Sequence, residues 1–392
     1  MKRSSVRRLG RSTAARAGIA LACGACVLLF ALVGSGVAGQ RTEVVEEHET
    51  VVARGERVHV RGSSGSISVT SSPDSVLRVT ARKIAEGGSP ASRDSLLSDL
   101  SARFEKEDGA VLVEAAWARD RRGVSGFVKR LIGNTGLGGE PHGWIDFEVR
   151  IPRGARLEAN VTSGDISVKG TEGGADLAAT SGEIEARGVA GALAVATTSG
   201  GIGISEIDGR VDASLASGDL ALERVNGDVE ADLTSGDAAL RDLVGAVKVS
   251  ATSGDVGLAG CAGPVDVSVT SGTVEVSGCA ADVSVESSSG DVSVHAAGLG
   301  ERGIHVESTS GDVAVRFPAA CAARLDLESS SGAIRTEGPI SLTDVSRRSL
   351  EGIVGERECA PVSVRTSSGD IEVVVERNGA PAKASRGEGA KR

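Results

Sequence analysis

The chain of 392 residues carries a net charge of −10 and only 2% aromatic residues, with no tyrosine, two tryptophans and five phenylalanines against 54 glycines. Its acids concentrate in residues 160–376, where 34 Asp and Glu stand against 14 Lys and Arg. That balance opposes phosphate backbones, and the missing aromatics remove the platforms on which single strands stack, so nucleic-acid binding is excluded.

Residues 1–16 are basic, with Lys2, Arg3, Arg7, Arg8, Arg11 and Arg16 and no acid. Residues 17–39 then form an uncharged, mostly apolar run. As a helix this run spans about 34 Å, enough for a bilayer core of about 30 Å, and the flanking charges keep the start of the chain in the cytoplasm. Small residues at Gly36, Ala38 and Gly39 also fit a cleavage site. The segment is therefore a transmembrane anchor or a signal peptide. Both readings place the rest of the chain in the cell envelope, held by one N-terminal helix or secreted after cleavage. Cys23 and Cys26 lie inside the run rather than at its end, which opposes a lipoprotein.

Residues 41–158 read as an N-terminal cap of mixed strand and helix. Strand-like alternation covers Glu56 to Val60, Ser66 to Thr70 and Val76 to Thr80, and Leu96, Leu97 and Leu100 give Ser92 to Leu100 a helical spacing. Ala110 to Trp117 and Trp144 to Ile151 read as strands around a Gly- and Arg-rich loop, with Trp117, Trp144 and Phe147 in the cap core. Within the loop, Arg121, Arg122, Lys129 and Arg130 alternate with Phe127, Val128, Leu131 and Ile132. That stretch fits a mobile loop or a contact with anionic lipid.

From residue 159 to 376 the chain repeats. Ser-Gly pairs begin at Ser163, Ser181, Ser199, Ser217, Ser235, Ser253, Ser271 and Ser289 at a period of 18, then at Ser310 and Ser331. Three residues after each Ser stands an apolar residue (Ile166, Ile184, Ile202, Leu220, Ala238, Val256, Val274, Val292), and two further on comes a second apolar column. The other half of each unit repeats the design, with Leu193, Val211, Val229, Val247, Val265 and Val283 in one column. Alternation of this kind marks short strands with one buried face, and equal spacing stacks like on like about 4.8 Å apart. The predicted fold is all-β, a parallel β-solenoid with 18-residue coils of two short strands. One coil cannot offset the entropy of its own ordering, so coils occur in stacks and need caps. Residues 377–392 are basic, rich in Gly and Ala, and read as disordered.

The order of an export segment, a strand cap, and Ile145-Asp146-Phe147-Glu148-Val149-Arg150-Ile151-Pro152 running into Thr162-Ser163-Gly164-Asp165-Ile166 resembles a bacterial "putative adhesin" family of β-strand-repeat domains of unknown function, related to toast-rack domains. The recurring Thr-Ser-Gly-Asp-Ile/Val returns at Thr234 to Ala238, with Ala in the last place, and at Thr252 to Val256 and Thr309 to Val313. The resemblance implies the fold and an envelope setting with an adhesive or stress-response scaffolding role, and it carries no catalytic residues over. The loop from Arg119 to Gly143 departs from the family pattern.

Four features bear on chemistry. Asp165, Glu183, Asp219, Asp237, Asp255, Asp291, Asp312 and Asp370 recur after the turn glycine and stack as a column. A bound cation would relieve their repulsion, but the Gly-Gly-x-Gly-x-Asp spacing of calcium-binding β-rolls is missing, which favours turn-capping Asp. The Thr and Ser before each glycine form a hydroxyl ladder. Its place beside a turn favours hydrogen bonds to local backbone over an ice-binding face. Cys261 and Cys279 lie one repeat apart in one column, within disulfide reach, and Cys321 and Cys359 fall at equivalent turns once the longer coils are aligned. Two bridges are expected, against four buried thiols. His295 and His305 share a coil without further zinc ligands, and no nucleophile, acid pair or cofactor motif assembles. No catalytic, cofactor or metal residue is assigned. The sequence reads as a non-catalytic scaffold for a protein or cell-surface partner, attached to the membrane through its N-terminal segment. The alternatives are a sensory ectodomain serving an envelope stress response and a carbohydrate-active β-helix enzyme.

Overall fold

A computed structural model describes residues 41–107, 109–117, 142–355 and 360–376. The apolar segment at 17–39, the basic loop, Cys359 and the tail from 377 lie outside the described residues. Within them no helix is long and apolar enough to cross a membrane, and all but one of the elements are strands, arranged as a parallel two-sheet solenoid. The chain divides into two units at Gly227.

The first unit opens with β1 (Arg41–Val51), β2 (Arg57–Ser64), β3 (Ile67–Ser72) and β4 (Val76–Glu86), followed by α1 (Pro90–Asp99), β5 (Leu100–Glu107), β6 (Ala110–Trp117) and β7 (His142–Pro152). The helix starts where the Ser89 hydroxyl accepts the Ser92 N–H and Pro90 takes the first turn, and it buries Leu96 and Leu97. From Arg156 each coil contributes one strand to each sheet. Leu157, Ala175, Leu193 and Val211 stack in register on one side, and Ile166, Ile184, Ile202 and Leu220 on the other, all buried. The isolated Ser64-Gly65-Ser66-Ile67 echo is itself part of a coil: Ser64 pairs with Ser163 and Ile67 with Ile166.

Beyond that coil the pairing turns antiparallel, β7 to β4 to β1 in one sheet and β6 to β5 in the other. The two edge strands, β1 and β5, escape the sequence pattern because Glu43, Glu46, Glu47 and Glu49, and Arg103, Glu105, Lys106 and Glu107, break apolar alternation. Those charges blunt an exposed edge. The interior here is unusually polar: Lys83 pairs with Glu46, Arg93 donates to Thr42 and to the carbonyls of Gly87 and Gly88, and the His48 ring stacks on Phe104 with centroids 4.4 Å apart. Burial lowers the pKa of His48. Phe147 is buried and Trp144 half-buried.

The second unit stacks coils in the same way, but space and chain order part company near its end. One sheet runs Val283–Ser289, Ile304–Ser310, Ala360–Ser368, Ala323–Ser329, and the other Val292–Ala296, Val313–Pro318, Ile371–Glu376, Ile334–Glu337. The last coil of the chain is thus inserted between two earlier ones. Ile304 pairs with Val362, and Val362 with Leu325. An antiparallel hairpin, Ser341–Val345 and Ser349–Val354, then lies along Ala323–Ser329. Irregular spacing after Ser331 marks this place in sequence, whereas the insertion follows from pairing between strands that sequence distance does not rank.

The six coils from Ser181 to Ser271 also bury a third residue beyond the two expected columns: Val189, Ile207 and Val225 in the first unit, Leu243, Cys261 and Cys279 in the second. A residue with positive φ precedes it, Gly188, Glu206 and Arg224, then Asp242, Gly260 and Gly278, which turns the chain inward again after the outward position. Eight residues after each Ser was a readable spacing, hidden because two outward residues interrupt the alternation.

Candidate functional site

The carboxylate column is built into the backbone. Asp237 Oδ1 accepts the Asp255 N–H at 2.9 Å, Asp255 the Thr273 N–H at 2.8 Å, Asp291 the Asp312 N–H at 2.9 Å, Asp312 the Asp370 N–H at 2.8 Å, and Asp370 the Ala333 N–H at 2.9 Å. Asp165 does the same for Glu183 in the first unit. The reason is local. At each corner the glycine N–H reaches the Ser carbonyl of the next coil, as Gly254 to Ser271, and the next main-chain link skips a residue, Ala238 to Asp255. The skipped amide faces the stack with no carbonyl opposite, and the Asp side chain supplies the acceptor. Turn-capping Asp was the expectation; the capped amide belongs to the neighbouring coil rather than to the residue's own turn. The Ala333 N–H, with the Arg335 guanidinium, holds the Asp370 carboxyl below the usual carboxylate range.

The second corner repeats the device, Asp228 accepting from Ala246 and Asp282 from Arg302 and Gly303. Among the described residues no group of three His, Cys, Asp or Glu could hold a metal ion. His295 and His305 stand in different sheets, 3.6 Å from Glu376 and 3.3 Å from Glu307.

Because Ser carbonyls and Asp carboxylates satisfy the corner amides, the hydroxyls before the turn are left on the surface. Thr162-Ser163, Thr180-Ser181 and Thr198-Ser199 in the first unit are exposed, as are Thr234-Ser235, Thr252-Ser253, Thr270-Ser271 and Thr309-Ser310 in the second. The expected bonding of these side chains to local backbone is not what holds the corner. Except at Ala216-Ser217, which has a single hydroxyl, these coils present a hydroxyl pair outward, with the Ser residues in register from coil to coil. The outward column after the turn is mixed, with Glu185, Gly203 and Ala221 in one unit and Ala239, Gly257 and Glu275 in the other. One exposed charge cluster was missed in sequence, Arg187 and Arg224 both reaching Glu206 at 2.8 and 3.3 Å. Its members lie about one coil apart, a spacing that could have shown it. A buried row was missed as well: Ser287, Ser308 and Thr366 stack in register inside the second unit, each hydroxyl without a hydrogen-bond partner.

Cys261 and Cys279 are both buried free thiols, at 2% and 0% exposure. The neighbouring Cys279 thiol, and then burial, push the Cys261 thiol well up in pKa. Cys321 is a half-buried thiol, and its proposed partner Cys359 lies outside the described residues.

A family model described as "Toastrack DUF4097" matches residues 154–260 and 210–374, more than half of the chain. Among solved structures, a "putative cell adhesion protein" of Clostridium sporogenes is 10% identical over 85% of this chain and all of its own, with a TM-score of 0.19. A "putative lipid binding protein" of Parabacteroides distasonis is 12% identical over 84% of this chain and 96% of its own, at 0.25. A "putative adhesin" of Bacteroides fragilis is 11% identical over the same shares, at 0.19. No curated protein matches the chain.

Proposed function

We propose, for a chain that belongs to the Toastrack DUF4097 family, a non-catalytic role as an exported cell-envelope scaffold that offers its coil faces to a protein or cell-surface partner. The observation that carries this reading is the row of outward Thr-Ser pairs, interrupted in the first unit by Ala216-Ser217. Hydrogen-bonding groups repeat once per coil on a backbone fixed by inter-coil bonds, at a spacing of about 4.8 Å. A row of individually weak contacts held at fixed spacing gains avidity without any deep pocket. Its short side chains also lose little rotamer entropy on contact. Attachment through residues 17–39 and the boundaries of cap, solenoid and tail remain part of the same proposal.

The test compares surface adherence of cells carrying the full chain with cells carrying Thr234→Val, Thr252→Val and Thr270→Val together. Loss of adherence with unchanged surface amount supports the scaffold. Unchanged adherence removes the hydroxyl row from it. A membrane protein that co-purifies specifically with both forms would instead favour the sensory ectodomain, and turnover of glycans the enzyme.

A further inference from the structure

The structure carries two thiols that chemistry would not leave apart in an oxidising compartment. Cys261 and Cys279 end strands of successive coils, Val256–Cys261 and Val274–Cys279, which are paired in register from Val256 and Val274 to Ala259 and Ser277, two residues before the cysteines. Each follows a glycine of nearly the same left-handed conformation, φ 70° at Gly260 and 68° at Gly278. The two cysteines are therefore one local backbone shape translated by one coil, with both Cβ atoms turned into the same buried column. Coil spacing of about 4.8 Å falls within the Cα separation that disulfides adopt. Cys279 donates to the Ser277 carbonyl at 3.7 Å.

We propose that Cys261 and Cys279 form a disulfide that staples two neighbouring coils of the second unit, and that it closes before the coils are packed. The second clause follows from burial: at 2% and 0% exposure neither sulfur can be reached by an external oxidant once the strands are in place. The bridge needs a thiol–disulfide exchange oxidant. One cysteine thiolate attacks the oxidant's disulfide, giving a mixed disulfide and releasing one thiolate of the oxidant. The second cysteine thiolate then displaces the oxidant's other sulfur. Two thiols become one S–S bond, two protons leave, and the oxidant departs as its dithiol. In the cell this relies on the export reading above, whereas the chemistry can be tested in vitro without it.

The full chain is unfolded under reducing conditions and refolded with oxidised glutathione. It is then denatured with an alkylating reagent present and no reductant, and digested with a protease that cuts after Glu275, which lies between the two cysteines. Recovery of the Cys261 and Cys279 peptides joined, and separated by a reductant, is expected. Recovery of both as separately alkylated peptides overturns the bridge. In a parallel arm, chain folded fully reduced and only then given oxidised glutathione should stay unlinked. Linkage at the rate of an exposed dithiol would overturn the ordering of closure before packing. Because both arms use the unaltered chain, a variant that fails to fold cannot blur the result, and a missing partner on the cell surface would leave them unmoved.

Discussion

At the scale of single residues, the Asp column separates a structural from a chemical role. Asp255→Ala leaves the Thr273 N–H without an acceptor at a corner where no carbonyl stands opposite. A loss of about 1 kcal/mol is expected from urea unfolding, at the low end for a bond to a charged group because the site is exposed. Asp255→Asn keeps an acceptor and removes a charge from the stack, so it should cost clearly less; equal losses would show that charge, not the hydrogen bond, matters there. Asp370 gives the pH dependence. Its carboxyl is held below the usual range first by the Ala333 N–H and then by Arg335. A carboxyl with a depressed folded pKa stabilises the fold above its unfolded pKa, about 3.9, and loses that contribution as pH falls through the folded value. The stability gap between the wild type and Asp370→Asn should therefore be open at neutral pH and close in acid below about pH 4; a gap that widens in acid would reverse the sign and sink the assignment. The column itself was legible in sequence, since Asp recurs after each turn glycine. The partner of each carboxylate was not, because the orphaned amide belongs to another coil, 18 positions on for Asp237 and Asp255 but 58 on for Asp312 and 37 back for Asp370, and appears only when coils are stacked.

At the scale of strands and turns, the corner glycines fix how closely coils approach. Gly254 has φ 128°, and a Cβ there would stand 1.9 Å from the Gly236 carbonyl oxygen. Neither backbone can yield without breaking the Gly254 to Ser271 link. Gly254→Ala should cost more than about 3 kcal/mol, a value reserved for disrupted backbone or core, while Gly257→Ala, whose Cβ would find only Ala238 O at 3.8 Å, should fall within about 0.5 kcal/mol of wild type. Comparable denaturation midpoints for the two would refute the packing account. The same scale shows where sequence periodicity stops informing. The central strands were readable because one face is buried and the other wet. The edge strands β1 and β5 carry charges where alternation would place apolar residues, and the third buried column hides behind a positive-φ residue that breaks the period of two. Function was less legible still, for the outward hydroxyls are repeated by the same period that builds the fold, so their regularity alone does not distinguish architecture from recognition.

At the scale of the molecule, the order of coils in the second unit is its least sequence-encoded property and leads to a sharp expectation. Repeated coils offer similar edges, so a parallel stack in chain order would place Ala323–Ser329 on Ile304–Ser310 directly. The observed stack puts Ala360–Ser368 between them, with Asp312, Asp370 and Ala333 following the same spatial order through their hydrogen bonds. The glycines agree: Gly369 packs on the Gly311 carbonyl and Gly332 on that of Gly369. The coil that the chain makes last therefore holds an earlier one in place, a non-local contact whose loop closure must precede its reward. A chain ending at Gly355 removes an internal layer rather than an outer one. Hydrogen exchange on that truncated chain should show the amides of Leu325 and Leu327, buried strand residues in the full chain, exchanging at unprotected rates, while those of Val267 and Val285 stay protected. If Leu325 and Leu327 keep their protection, the coil from Ala323 is held by the retained strand Ser349–Val354 or has re-paired with the one from Ile304, and in either case the inserted layer is dispensable to it.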